Sequence, residues 1–101
     1  MFYIYIIQSE KCENYYVGYS SNPWKRLIEH NTSKGNTYTS KYRPWILKAV
    51  FLVSKNEYEA IRLERFIKKQ KSKRLIEKLC DSNFCPSAEL AQMVRVPHLR
   101  D

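Results

Sequence analysis

The sequence predicts one mixed α/β domain of the α+β kind, three strands accompanied by helices, and three observations predict it. Residues 2–8, 14–19 and 45–53 are short, apolar or Tyr-rich runs of strand length. Residues 23–31, 57–69 and 72–79 carry apolar side chains at helical spacing behind recognisable start signals. The chain has 101 residues, enough for one core and too few for two.

In the first strand, FYIYIIQ, Phe2, Ile4 and Ile6 share one face and Tyr3, Tyr5 and Ile7 the other. The polar segment SEKCE is a hairpin connection to the second strand, NYYVGY. With the turn centred between Glu10 and Lys11, Tyr5 falls opposite Tyr16. Asn22 caps the first helix, with Pro23 at its first position. On the wheel, Trp24, Leu27 and Ile28 form its buried stripe, while Arg26 and His30, four apart, lie together on the opposite face. Residues 32–44 are a polar, basic loop with Gly35 inside and Pro44 at its end. The nearly continuous apolar run WILKAVFLV then suits a central strand, with Trp45 and Phe51 in the core.

Asn56 and Glu59 have the spacing of a capping box before the helix 57–69. Its apolar stripe is Ala60, Leu63, Phe66 and Ile67, and Glu64 falls at the stripe's margin. A last helix carries Leu75, Ile76 and Leu79. The core is expected to end near residue 80, leaving 1–80 as the domain and 81–101 as a tail. Pro86, Ser87 and Pro97 bracket a short helix, 88–95, in that tail.

Charge narrows the function. Lys plus Arg number 18 against 10 Asp plus Glu, a formal net charge of +8, which favours a polyanionic partner. Between Ile61 and Leu79 eight basic residues surround two acidic ones. No apolar run approaches membrane-spanning length. The N-terminus lacks a basic n-region and a small-residue cleavage site, so a cytoplasmic protein is expected. Cys12, Cys80 and Cys85 are an odd count and make no disulfide framework. Cys80, Cys85 and His98 lack the tight paired spacing of a zinc site.

Five polar residues are left unexplained by packing: Tyr5, Tyr16, Arg26, His30 and Glu64. Each has a plain alternative: strand tyrosines, a solvated helix arginine, a glutamate paired with Lys68 at i, i+4. Their order changes the balance. Tyr3-Ile4-Tyr5, Tyr16-Val17-Gly18, Arg26 to His30, Tyr38-Thr39 with Arg43-Pro44, and Ala60 to Glu64 followed by Ile67-Lys68-Lys69 succeed one another at compatible spacing. Together they resemble the GIY-YIG nuclease superfamily, in particular its small stand-alone bacterial members related to the N-terminal catalytic domain of the excision-repair nuclease UvrC. The resemblance covers residues 2–79. Tyr3 replaces the first glycine of the GIY element, and a late asparagine of some members has no counterpart in QKSKRLIEKL.

The resemblance implies a three-stranded antiparallel sheet flanked by helices, and cleavage of DNA phosphodiester bonds with one divalent metal, Mg²⁺ or Mn²⁺, in repair or recombination. It implies Glu64 as the metal's protein ligand, Arg26 as the grip on the scissile phosphate, and Tyr5 as water activator. The residue chemistry leaves the general base open among Tyr5, Tyr16 and His30. A phenol's pKa near 10 must be lowered by a cation to serve, whereas an imidazole titrates near 6.5. Lys41, Arg43, Arg62, Arg65, Lys68, Lys69, Lys73 and Arg74 are expected to contact the nucleic-acid backbone. A monomer or weak dimer is expected, without a membrane partner. Two other readings remain at this level: a catalytically idle nucleic-acid-binding module, and an RNA-directed nuclease.

Overall fold

The computed structural model describes residues 1–32 and 38–97. Gly35 and His98 lie outside the described residues. The elements in chain order are β1 (Phe2–Ser9), β2 (Tyr15–Ser20), α1 (Pro23–Thr32), α2 (Tyr38–Lys41), β3 (Trp45–Ser54), α3 (Glu57–Lys69), α4 (Lys73–Cys80), a 3-10 turn (Ala88–Leu90) and β4 (Val94–Val96). The sheet is antiparallel throughout, in the order β2-β1-β3-β4. Helices cover both faces. On one face Ile4, Ile6, Val17 and Phe51 pack with Leu63 and Ile67 of α3 and Leu79 of α4. Tyr5, Ile7, Trp45, Leu47 and Val50 pack beneath α1, against Trp24 and Leu27. A register irregularity between Ile6 and Ile7 skips Lys48. Such a bulge reverses the in–out alternation, so both Leu47 and Val50 face α1. Among the described residues no helix is long and apolar enough to cross a membrane.

The sheet has four strands where three were expected. The fourth comes from the tail, whose Leu90 and Met93 are 5% and 3% exposed and belong to the core. The expected helix over 88–95 shrinks to one 3-10 turn. Ala88 has φ 54, a left-handed conformation unsuited to helix entry. The Arg95 guanidinium lies 4.8 Å from the centroid of the Phe51 ring and donates to the carbonyls of Leu79 at 2.6 Å and Asp81 at 2.8 Å. These contacts hold a three-residue strand too short to read from its sequence. Leu90→Ala is expected to cost about 2–4 kcal/mol in urea unfolding. A tail merely appended to the core would leave the midpoint unmoved.

The hairpin register also differs. Tyr5 faces Gly18, and Tyr16 faces Ile7. The turn spans Glu10 to Glu13, one residue further along than assumed. It is closed by Ser9 N–H to Asn14 O at 2.9 Å and Glu13 N–H to Ser9 O at 3.0 Å, with Glu13 at φ 61. Ser9 Oγ accepts from the amides of Lys11 and Cys12 inside it. The shift is two residues, so Tyr5 and Tyr16 still share a face, now diagonally.

Asn22 caps α1 by accepting from Lys25 N–H at 3.1 Å. The helix is rotated from its expected stripe: Ile28 is 62% exposed, and Pro23 and His30 are buried. His30 thus points into the sheet, on the buried side of the helix and not opposite it as expected, while Arg26 stays exposed beside it. The C-terminal end of α1 is pinned by two side chains. Arg43 Nε donates to His30 O at 2.9 Å. Asn31 bridges to Trp45 in both directions, Nδ2 to O at 3.0 Å and N–H to Oδ1 at 2.7 Å. At α3 the capping box is half formed. Asn56 Oδ1 accepts from Tyr58 N–H at 2.9 Å, but the Glu59 carboxylate is taken by Arg62 at 2.9 Å and Gln92 at 3.2 Å.

Candidate active site

The burial of His30 creates the centre of the site. Tyr5 is 1% exposed, and the hydroxyl end of its ring lies against Gly18, whose missing Cβ leaves room for it. Its hydroxyl is 2.8 Å from His30 Nε2. The Arg26 guanidinium faces the same hydroxyl from the neighbouring turn of α1 and pairs with Glu29 at 3.2 Å. Arginine offers donors only. With the phenol as donor to Nε2, the imidazole carries its own proton on Nδ1.

The protonation states follow from burial. Desolvation raises the Tyr5 pKa above its ordinary value, helped by Tyr16 and Glu64; the opposing Arg26 does not reverse it. Burial, and then the charge of Arg26, lowers His30 to about 4. At neutral pH the pair is therefore phenol and neutral imidazole. The cation expected to yield a resident phenolate is present but loses to desolvation. Tyr5 instead has a proton acceptor already in place.

Tyr16 joins the two sides of the sheet. β2 is an edge strand, so side chains from both layers meet around it. From the α1 side, His30 approaches the Tyr16 ring at 5.2 Å between centroids, edge to face. From α3, Lys68 Nζ stands 5.1 Å from the ring centroid. Lys68 also pairs with Glu64 at 3.4 Å, and the Glu64 side chain is 16% exposed. The Glu64 carboxylate contributes to the fields at Tyr5 and at Tyr19. Among the described residues no three of His, Cys, Asp and Glu form a metal cage. One half-buried carboxylate at an open edge fits a hard divalent ion that keeps most of its water shell.

The remaining basic residues separate by position. Arg43 is half-buried and holds the end of α1. Arg62 is committed to Glu59 at 2.9 Å. Lys41, Arg65, Lys69 and Arg74 are exposed. Lys68 and Lys73 line an open groove of about 600 Å³ beside β2, together with Tyr16, Tyr38 and Lys71. Sequence reasoning passed over Tyr38 and Lys71 as site residues. Tyr38 was visible in a loop motif. Lys71 was counted in the basic run, but its placement comes from a left-handed backbone, φ 49, between α3 and α4.

Comparison with known proteins shows the family. Residues 1–78 match the model of the GIY-YIG catalytic domain. Over 78 residues the chain is 36% identical to a UPF0213 protein of Staphylococcus haemolyticus, an alignment covering 74% of this chain and 93% of the relative. The matched region holds β1 to α4 almost entire, and with them Tyr5, Tyr16, Arg26, His30 and Glu64. The chain therefore belongs to the GIY-YIG family, a family of nucleases.

Proposed function

We propose that this protein is a divalent-metal-dependent endonuclease that hydrolyses DNA phosphodiester bonds. The observation that carries the reading is the buried 2.8 Å contact between the Tyr5 phenol and the His30 imidazole, with the charge of Arg26 acting on both. Attack of water on phosphorus needs a route for the water's proton and cationic donors for the charge gathering on phosphate oxygens. Tyr5 Oη takes the water's proton as its own passes to His30 Nε2, so no free phenolate has to form in a buried site. The Arg26 guanidinium binds the scissile phosphate with paired donors, and Lys68 adds a second cation at the rim. Glu64 would hold Mg²⁺ or Mn²⁺, which supplies Lewis-acid stabilisation when bound. As the new P–O bond forms, the bond to the leaving sugar oxygen breaks, and that oxygen is protonated by solvent. Tyr16 packs against His30 and fixes the plane of its ring.

Nicking of supercoiled plasmid with Mg²⁺, Mn²⁺ or EDTA tests the reading. Folded Glu64→Gln and Arg26→Ala proteins are each expected to cleave at least about 100-fold more slowly. Undiminished cleavage by Glu64→Gln would remove the metal from the proposal. Binding without cleavage under every metal condition would return the idle binding module.

A further inference from the structure

We propose that the groove beside β2 receives an unpaired nucleotide of a DNA strand, so that the substrate has single-stranded character next to the cleaved bond. The inference rests on reading the β2 edge as the cleavage site, because Tyr16 belongs both to that edge and to the groove. Three features of the groove converge. The first is an aromatic wall that solvent reaches. Tyr38 is 46% exposed, and its ring lies 26° from parallel to Tyr16 at 6.3 Å between centroids. Contacts to Tyr42 at 4.9 Å and Trp45 at 6.1 Å hold the Tyr38 ring from behind. The second is charge: Lys68, Lys71 and Lys73 line the groove against one carboxylate, Glu13. Among the described residues Lys71 and Lys73 make no ion pair. The third is size, since about 600 Å³ accommodates a nucleoside with room for its backbone at the lysines.

Cations and an exposed aromatic face together are what single strands need. Stacking of a base on a ring is indifferent to sequence, and the lysines follow the phosphates. A base within intact duplex has both faces covered by its neighbours. To reach Tyr38 it must first leave the stack, at a cost that a single strand does not meet. A purely electrostatic surface makes the opposite choice, because duplex DNA carries the higher charge density. Preference between the two forms therefore separates a nucleotide groove from a solvated basic face.

The test uses the full chain in EDTA, where cleavage plays no part. Fluorescence anisotropy compares a short single-stranded DNA with the blunt duplex of the same sequence. A 2-aminopurine placed along the single strand reports stacking through quenching. The single strand is expected to bind at least about tenfold more tightly, with quenching at one position. Tyr38→Ala is expected to lose that preference and the quenching, and Tyr38→Phe to keep both. Lys71→Ala is expected to lower the salt slope for the single strand by about 0.7. Equal or tighter binding of duplex overturns the inference, as does unchanged quenching in Tyr38→Ala. Tighter binding of single-stranded RNA than of DNA overturns the choice of DNA. Loss of the nuclease reading appears in the plasmid assay with metal, and loss of the groove appears here without metal, so the two failures are separable.

Discussion

Gly18→Ala is expected to destabilise the protein by about 2–4 kcal/mol and, on the proposed mechanism, to lower cleavage at least about 100-fold. A Cβ at residue 18 stands 2.5 Å from Tyr5 Oη, 2.6 Å from Cζ and 2.9 Å from Cε1. Real Cβ atoms do not approach a ring so closely, and this ring has nowhere to go. Tyr5 is among the largest fully buried side chains, packed with Ile7, Val50 and Trp45. Overpacking of this kind typically costs about 1–3 kcal/mol, and displacing the phenol breaks its bond to His30 for about 1 kcal/mol more. The backbone of Gly18 is ordinary paired strand, so the whole effect is attributed to the clash. A double-mutant cycle checks the cause. In a Tyr5→Val background, where the ring is gone, Gly18→Ala should be nearly neutral in urea unfolding. A cost of less than about 0.5 kcal/mol in the wild-type background would show that Tyr5 does not depend on the glycine.

Gly18 also shows why some of the site was legible in the sequence and some was not. The strands carrying Tyr5 and Tyr16 and the helix carrying Glu64 follow from alternation, caps and helical period, and motif order ties them together. A two-residue difference in turn position leaves faces intact, so the shared face of Tyr5 and Tyr16 survived while their pairing did not. His30 defeated the helical wheel. The wheel put Ile28 in the buried stripe and His30 opposite it, but the hydroxyl of a buried phenol needs a partner, so His30 turns inward and Ile28 is left exposed. β4 was illegible because its position is set by Arg95 reaching Leu79, Asp81 and Phe51, contacts distant in sequence. The groove was illegible for a related reason. Tyr38 and Lys71 belong to different segments and meet only because both abut the edge of β2.

His30→Gln is expected to separate the two roles that burial gives this residue. The imidazole titrates near 6.5 in the unfolded chain and at about 4 in the fold. Between those values the unfolded chain binds a proton that the folded protein refuses. Stability is therefore undiminished by His30 above about pH 6.5, falls as pH is lowered toward 4, and reaches a loss of about 3 kcal/mol below that. Glutamine cannot titrate, so the difference in unfolding free energy between wild type and variant should shift by that amount between pH 7 and pH 4. Carboxylates elsewhere acidify alike in both proteins and cancel. At pH 7 the variant is expected to lose only about 1 kcal/mol, the worth of one hydrogen bond to Tyr5. Cleavage should nevertheless fall by about 10²–10⁴-fold at that pH, because an amide cannot accept the Tyr5 proton. Tyr5→Phe should fall comparably, and the double variant little further, since the two residues act as one relay. A pH-independent stability difference would mean that His30 is not held neutral. A double variant whose losses multiply would mean that phenol and imidazole act on different protons, with Tyr5 serving the phosphate and His30 the water.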